Sequence, residues 1–262
     1  MPNSIHPSAV VSPEAVIGDE VTIGPYAVIE GDVTLGDRTF IDHHATVRGK
    51  TVLGCDCRIY PYAFVGTDPQ DLKHREGTSE LIIGDHTVVR EYATISRGTA
   101  LGGGYTRIGS HNFIMAYSHI AHDCQFGNHI ILSNGATFGG HSEVGDYAII
   151  GGLSAVHQFC RIGSYAFIGG ASGVSQDIPP YVLANGNHTK LYGLNREGLK
   201  RHKFSPETLR ILNQAYRIIF RTTGLSLEKA IARVEEEVEL IPEVRHMIDF
   251  IRQSKRGVCR RK

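Results

Sequence analysis

An aliphatic residue recurs every six positions along most of this chain. The first run starts at Ile5 and continues without a break to Val65, and the same step then holds from Ile83 to Ile95. It resumes at Ile108 and continues to Val174, with phenylalanine at two of its positions. A period of six predicts a parallel β-helix in which each unit is one short strand and a turn, and in which three units, about 18 residues, complete one triangular coil.

The other positions of the unit support this prediction. The position four residues after each repeated aliphatic is mostly alanine or serine, and the position directly after it is often glycine, which permits a tight turn. Cys57, Cys124 and Cys160 occupy the small position, where a free cysteine acts as a small apolar residue. The odd total of five cysteines fits no disulfide framework.

Two interruptions and a change of pattern divide the chain. The interruptions, at residues 66–82 and 101–107, are predicted to be loops that project from the β-helix, and loops on a rigid scaffold often carry binding residues. We expect a β-helix over residues 1–186 and an α-helical domain over residues 187–262. In the second domain we expect a short helix near residues 196–203, a helix that Ser205 caps, and two more after Ser226 and from Pro242. The basic end, residues 255–262, is expected to fray, and Cys259 has no predicted role.

Composition excludes two broad classes. Lysine plus arginine and aspartate plus glutamate both total 27, so the net charge is zero, which argues against a nucleic-acid-binding protein. The sequence contains no long apolar run and no apolar N-terminal segment, so we expect no stable membrane insertion and a cytoplasmic location.

Two histidines and an aspartate fall close together at His119, His122 and Asp123. A histidine titrates near neutral pH and can act as a general base, and an adjacent carboxylate can orient its ring. One and two coils further along the chain, the repeat places Gly140 and Gln158 above His122. The sequence therefore predicts a polar strip on one part of the β-helix, with His122 as its base.

Six stretches carry a more specific resemblance. Together with the helical tail, they resemble the UDP-N-acetylglucosamine 3-O-acyltransferases of lipid A biosynthesis, a family of the hexapeptide-repeat superfamily whose coils are left-handed. The resemblance covers nearly the whole chain. The stretches are Gln70-Asp71-Leu72-Lys73, His119-Ile120-Ala121-His122-Asp123, Gly151-Gly152-Leu153-Ser154-Ala155-Val156-His157-Gln158-Phe159, Asp177-Ile178-Pro179-Pro180-Tyr181, Ala184-Asn185-Gly186-Asn187-His188 and Asn195-Arg196-Glu197-Gly198-Leu199-Lys200-Arg201.

This resemblance implies a homotrimer with active sites in the clefts between subunits. It implies transfer of an R-3-hydroxyacyl chain from acyl carrier protein to the 3-hydroxyl of UDP-N-acetylglucosamine, the first step of lipid A biosynthesis, with no metal and no cofactor. It also implies roles for single residues. His122 is the expected base, Asp123 its orienting partner and Gly140 N–H the donor to the oxyanion, while Gly170 is expected to limit acyl-chain length. The expected substrate-binding residues are Asp71, Lys73, His119, His141, His157, Gln158, His188, Asn195, Glu197 and Arg201.

Several alternatives stay open at this stage. Tyr117 stands where the family pattern has a smaller polar residue, so the acceptor could carry a 3-amino group in place of the hydroxyl. A zinc enzyme similar to the gamma-class carbonic anhydrases uses the same scaffold and three histidines. A non-catalytic scaffold and an acetyl-coenzyme A transferase are further alternatives. The basic segment Lys200-Arg201-His202-Lys203 is a candidate docking site for the acidic carrier protein.

Overall fold

The computed structural model describes residues 2–73, 75, 77 and 79–260. Most of them form a left-handed parallel β-helix, here called the prism, as the repeat and the family resemblance predict. Its three faces are sheets A, B and C. Five residues of the predicted loops and domains besides Met1 lie outside the described residues: His74, Glu76, Thr78, Arg261 and Lys262.

The strands are numbered in chain order across the three sheets. Sheet A contains β1 Ser4–Ile5, β4 Thr22–Ile23, β7 Phe40–Ile41, β10 Arg58–Ile59, β13 Val88–Val89, β16 Phe113–Ile114, β19 Ile131–Leu132, β22 Ile149–Ile150, β25 Phe167–Ile168, β27 Val182–Asn185 and β28 Lys190–Leu194. Sheet B contains β2 Val10–Val11, β5 Val28–Glu30, β8 Thr46–Arg48, β11 Phe64–Thr67, β14 Thr94–Ser96, β17 His119–Ile120, β20 Thr137–Phe138, β23 Ala155–Val156 and β26 Gly173–Val174. Sheet C contains β3 Val16–Ile17, β6 Val33–Leu35, β9 Lys50–Leu53, β12 Glu80–Ile83, β15 Tyr105–Ile108, β18 Gln125–Phe126, β21 Glu143–Val144 and β24 Arg161–Ile162.

Each strand of the prism pairs in parallel with the strand one coil further on. In sheet B, for example, Ile120 lies beside Phe138, and Phe138 beside Val156. These three side chains point inward and are at most 4% exposed, so the repeated apolar residues form the core. At the open end the prediction fails for Ile5, which is 45% exposed because no earlier coil covers it.

The cysteines of the small inward position are buried as predicted. Cys57, Cys124 and Cys160 are fully buried and free. Burial raises the pKa of the Cys57 and Cys160 thiols to about 11 and that of Cys124 to about 12, which suits apolar packing residues and not reactive thiolates.

The turns between the sheets form three corners, called AB, BC and CA after the sheets they join. In each column of turns, a residue with positive φ stacks on its equivalent one coil away. At corner BC these residues are Asp123, His141 and Phe159, and the His141 and Phe159 rings are stacked with centroids 4.5 Å apart. The corner at which a turn residue lies is therefore known from the two strands that its turn connects.

Both interruptions of the repeat lie at corner BC, because each joins a strand of sheet B to a strand of sheet C. The first is shorter than predicted, whereas the second begins earlier than predicted and is one residue longer. The first loop occupies residues 68–79, since β11 extends to Thr67 and β12 begins at Glu80. The second loop occupies residues 97–104, because Tyr105–Ile108 pairs with β12 as a full strand.

Four helices follow β28 in the described part of the chain: α1 Arg196–Arg201, α2 Pro206–Arg221, α3 Leu227–Glu237 and α4 Pro242–Arg252. The predicted caps are confirmed, because Ser205 Oγ accepts a hydrogen bond from Thr208 N–H and Ser226 Oγ accepts one from Lys229 N–H. The antiparallel pair of β27 and β28 spans the domain boundary that was predicted between residues 186 and 187. The division of the chain into two domains at that point stays a prediction. No helix in this described part is long and apolar enough to cross a membrane.

The fraying expected for residues 255–262 is wrong for the described part of that segment. Asp177 N–H donates to the Gly257 carbonyl, and Cys259 N–H donates to the Asp177 carbonyl. Val258 and Cys259 are buried. The segment is held because it supplies hydrogen-bond partners to the last coil of the prism, which no further coil can supply.

Truncation of an inward residue should destabilise the prism far more than truncation of an outward one. We expect Leu35→Ala, at a side chain that is 1% exposed, to lower the free energy of unfolding by about 2–5 kcal/mol. Val16→Ala, on a neighbouring strand of sheet C at a side chain 59% exposed, should change it by about 0.5 kcal/mol or less. Denaturant unfolding followed by circular dichroism measures both, and equal losses would contradict the inward assignment of Leu35.

Candidate active site

His122 and Asp123 lie in the turn from β17 to β18, at corner BC. The two loops leave the same corner from the two preceding coils, after β11 and β14. A cleft of about 1130 Å³ opens beside this turn, and its lining includes Asp123, His141 and the residues that follow α4. The structure thus brings the predicted base together with both loops.

The His122 ring is oriented by its neighbour in the chain. Its Nδ1 lies 2.8 Å from Asp123 Oδ2, and the side chains are 13% and 1% exposed. A carboxylate only accepts hydrogen bonds, so it favours the imidazole tautomer that carries its proton on Nδ1. That tautomer leaves the Nε2 lone pair available to accept a proton, which is what a general base requires.

The Asp123 carboxylate is held by the second loop. Thr99 N–H donates to Asp123 Oδ1 over 2.8 Å, and Thr99 Oγ1 donates to Oδ2 over 2.7 Å. Asp123 N–H in turn donates to Thr106 Oγ1 over 2.8 Å. With the His122 contact, three donors reach this buried carboxylate, which satisfies the requirement that a buried charge be hydrogen-bonded.

Gly140 lies one coil above His122, as the period of the repeat predicts, and His141 N–H donates to the His122 carbonyl. A Cβ atom at Gly140 would lie 2.6 Å from His122 Cε1, so the glycine is required by the ring that covers it. Among the described residues, Gly140 N–H has no hydrogen-bond acceptor. A free backbone donor beside the base can stabilise a developing oxyanion.

His122, Asp123 and His141 are the one group of potential metal ligands found among the described residues, with one ligand atom from each lying within 4.8 Å of the others. His141 Nε2 is 3.6 Å from Asp123 Oδ2. The same carboxylate oxygen already accepts hydrogen bonds from Thr99 and His122, and a metal ion would compete with both. The geometry therefore fits a hydrogen-bonded base better than a zinc site of three histidines.

Three other predicted residues lie near this turn. His119, the outward residue of β17, is within 2.7 Å of Thr94 Oγ1 through its Nδ1. His157 and Gln158 are exposed, and they lie in the turn two coils above His122. The register of the coils places Gly140 one coil and Gln158 two coils above His122, as counted from the repeat, and the catalytic role of this strip stays a prediction.

The remaining predicted residues lie on the first loop or in other parts of the chain. Asp71 and Lys73 lie on the first loop at corner BC, where Asp71 Oδ1 accepts from Lys73 N–H. Gly170 is exposed at corner AB, and His188 is exposed in the turn between β27 and β28.

Asn195, Glu197 and Arg201 belong to α1 and its cap, which pack at corner CA. Asn195 is nearly buried; its side chain accepts from Gly198 N–H as the cap of α1 and donates to the Tyr165 carbonyl. His202, which follows Arg201, packs edge-on against the Tyr147 and Tyr165 rings of that corner. On one chain, these residues and the predicted base therefore occupy different corners of the prism.

Known proteins share this whole architecture. Residues 14–49 match the sequence family described as bacterial transferase hexapeptide (six repeats), and residues 177–259 match UDP N-acetylglucosamine O-acyltransferase, domain 2. A protein of Thermodesulfovibrio yellowstonii named acyl-[acyl-carrier-protein]--UDP-N-acetylglucosamine O-acyltransferase is 50% identical over 98% of this chain and 100% of its own. This chain belongs to the UDP-N-acetylglucosamine O-acyltransferase family.

Two further relatives agree with the family assignment. The protein of the same name from Burkholderia ambifaria is 52% identical over 98% of this chain and 99% of its own. The crystal structure of UDP-N-acetylglucosamine O-acyltransferase from Moraxella catarrhalis superposes with a TM-score of 0.95 at 42% identity, and covers 98% of this chain and 99% of that one. The family resemblance inferred from the six sequence stretches is confirmed.

Sequence reasoning missed the residues that hold Asp123 beside His122, the predicted base. Thr99 and Thr106 lie in and after the second interruption, and their contacts with Asp123 join residues 17 and 24 positions apart. The sequence signal that could have indicated these contacts was the position of the second interruption, which precedes the His122 turn by one coil. The period of the repeat could not predict these contacts because the loop does not follow it.

His119 should make the protein more sensitive to acid. Burial, and secondarily the charge of His122, lower the pKa of His119 below its usual value. The unfolded chain then binds a proton that the folded chain resists, so stability falls as the pH drops below about 6.5. We expect His119→Asn, which can keep a hydrogen bond to Thr94, to reduce the loss of thermal stability between about pH 7.5 and about pH 5.5.

The matched control is His6→Asn, at an exposed histidine near the opposite end of the prism. It should leave the acid-induced drop in the unfolding midpoint unchanged. The same drop in His119→Asn as in the unmodified protein, measured by differential scanning calorimetry, would show that His119 titrates as a free histidine.

Proposed function

We propose that this protein transfers an R-3-hydroxyacyl chain from acyl carrier protein to the 3-hydroxyl of UDP-N-acetylglucosamine, the first step of lipid A biosynthesis. The observation that carries the proposal is the arrangement at corner BC. His122 turns Nδ1 toward a buried carboxylate and leaves Nε2 available, and it lies beside the Gly140 N–H, which has no hydrogen-bond acceptor among the described residues. Relatives that bear the name of this activity match the chain over nearly its full length.

In the proposed reaction, His122 Nε2 takes the proton of the sugar 3-hydroxyl as its oxygen attacks the thioester carbonyl. The carbonyl oxygen becomes the oxyanion of a tetrahedral intermediate and accepts a hydrogen bond from Gly140 N–H. The intermediate then collapses, the carbon–sulfur bond breaks, and the imidazolium returns the proton to the departing thiolate. Asp123 stabilises the imidazolium between these steps. The reaction needs no metal and no cofactor besides the carrier-bound thioester.

The outward face of sheet B offers a path for the acyl chain. Above His119 its outward residues in successive coils are Thr137, Ala155 and Gly173. Because the side chains become smaller in this direction, this face is the proposed trough for the acyl chain, and it starts at His119, next to the turn that holds His122. Gly170 lies at the edge of the same face, where an added Cβ would approach only the Gly152 backbone. A glycine at that edge leaves room for a long chain.

A single chain does not unite all the residues that the family resemblance assigns to the substrates. The base is at corner BC, whereas Arg201 and Glu197 are at corner CA. We propose that a homotrimer closes the site, with α1 of one subunit facing the corner BC of its neighbour. An exposed column of stacked rings at corner AB, which includes Tyr62, Tyr92 and Tyr117, offers an aromatic surface for such an interface.

The carrier protein is proposed to dock on the basic surface that follows β28. Lys200 is paired with Glu197, but Arg201 and Lys203 are exposed and form no ion pair with the described residues. Free cations of this kind can attract an acidic carrier. We propose a cytoplasmic location for the reaction, which is the location expected from the sequence.

Replacing the base should abolish transfer without unfolding the protein. We expect His122→Ala to lower kcat about 10²–10⁴-fold, the range that a positioned general base contributes. The assay incubates UDP-N-acetylglucosamine with R-3-hydroxyacyl carrier proteins and separates the products by mass spectrometry. His6→Ala, at an exposed histidine near the opposite end of the prism, is the control and should retain full activity.

The same assay separates the alternatives. Preference for the 3-amino sugar nucleotide would favour an N-acyl product, and activity with acetyl-coenzyme A would favour a different donor. Stoichiometric zinc together with loss of activity in chelator would favour the metal enzyme. Undiminished transfer by His122→Ala would refute the assignment of the base.

Gly170 should set the length of the acyl chain. The backbone at Gly170 needs no positive φ, so a side chain is tolerated and would project from corner AB into the proposed trough. We expect Gly170→Met to shift the preference to shorter acyl donors, and Gly170→Ser to shift it less. Competition between carrier proteins with long and short chains measures this preference, and an unchanged ratio in Gly170→Met would exclude the role.

A further inference from the structure

We propose that Thr99 is a positioning residue of the reaction: it holds the Asp123 carboxylate in the rotamer that presents Oδ2 to His122 Nδ1. This inference rests on the proposed function, because it assumes that His122 is the base. Thr99 belongs to the second loop. The repeat pattern does not predict that this loop contacts Asp123. The interruption of the repeat would then serve the base.

The direction of the Thr99 hydroxyl bond is determined by its surroundings. Gly102 N–H donates to Thr99 Oγ1 over 3.0 Å, so the hydroxyl accepts from the loop. Its own proton is left for Asp123 Oδ2 at 2.7 Å, while Thr99 N–H is directed at Oδ1 at 2.8 Å. Each carboxylate oxygen thus has its own donor from one residue, which prevents rotation of the carboxylate about its final bond.

The loop itself is anchored on both sides of Thr99. Gly102 N–H and Gly104 N–H donate to the Thr99 carbonyl over 3.0 and 2.9 Å and fold the loop into a tight turn. Before it, the Arg97 side chain donates to Ser79 Oγ over 3.2 Å and pairs with Asp68, both on the first loop. The two loops therefore support each other above corner BC.

Gly102 fits the same interpretation. A Cβ atom there would lie 2.2 Å from an Asp123 carboxylate oxygen, so only glycine lets the loop close over the carboxylate. The closed loop leaves the Asp123 side chain 1% exposed. Water is thereby kept from the oxygens, and the hydrogen bonds of Asp123 are directed to Thr99 and His122.

Thr99 would act through Asp123 and would not touch the substrate. Without its hydroxyl, the carboxylate could turn, and His122 Nδ1 would lose its fixed acceptor. A share of the imidazole would then carry its proton on Nε2, the nitrogen that must accept the proton of the sugar. The expected effect is a lower kcat with little change in the KM of either substrate.

The test compares Thr99→Val with Thr99→Ser. Valine keeps the shape and the backbone N–H but removes the hydroxyl, and we expect it to lower kcat by about 10- to 100-fold, as for loss of one hydrogen bond to a charged group. Serine restores the hydroxyl and should recover most of the rate. The control is Thr87→Val, which removes a buried hydroxyl that donates to the Gly109 carbonyl at corner CA; it should leave kcat unchanged.

Two further measurements separate positioning from mere support of the fold. In an Asp123→Asn background, Thr99→Val should cause less than about a twofold further loss, because the two residues act as one unit. Nitrogen-15 NMR of the His122 ring, assigned by comparison with His122→Gln, should show the proton on Nδ1 in the unmodified protein. The same signals should show a mixture of tautomers in Thr99→Val.

The outcomes are distinguishable from failure of the proposed function. If the unmodified protein transfers no acyl chain, the proposed function fails, and the tautomer measurement still decides the role of Thr99. A Thr99→Val protein with unchanged kcat and unchanged ring signals would overturn the inference. So would fully additive losses in the double variant.

Discussion

The register between coils is the constraint on which the rest of the structure depends. Parallel backbone pairing joins each strand to the strand one coil further on, so residues with the same place in successive coils are stacked, as His119, Thr137 and Ala155 are in sheet B. The turns must follow the same spacing. Three columns of turns result, and a functional group that belongs to one column cannot move to another without breaking the ladder. The position of His122 beneath Gly140 follows directly from this register.

A regular coil supplies little that could support a buried charge, because most of its backbone donors are used in the pairing between coils. Burial of an isolated carboxylate is costly unless donors are directed at it. The second loop departs from the repeat and so has free backbone and hydroxyl donors, which Thr99 gives to Asp123. The departure from the period is therefore physically connected to the ability of the prism to hold a carboxylate beside a histidine.

The features predicted correctly from the sequence were those controlled by local period. The inward residues, the small slots of Cys57 and Cys124, and the stacking of Gly140 on His122 all follow from counting. Contacts made by aperiodic segments could not be counted in this way. Two contacts are examples: Thr99 donates hydrogen bonds to Asp123, and Val258 packs against the last coil. Each contact joins two segments whose relative position is determined only by the folded chain. Asn195 shows a further limit, since a residue assigned to the substrate through resemblance also caps a helix.

Straight columns also limit what one prism can do alone. Because the corners run parallel to one another, His122 at corner BC and the arginine-bearing helix at corner CA do not converge anywhere along a single chain. A substrate with a nucleotide at one end and a reacting hydroxyl at the other must contact groups of both kinds. In the proposed trimer, the neighbouring prism brings the second corner to the first. The rigidity that positions His122 within its own chain is thus the physical reason why we propose that a second chain completes the site.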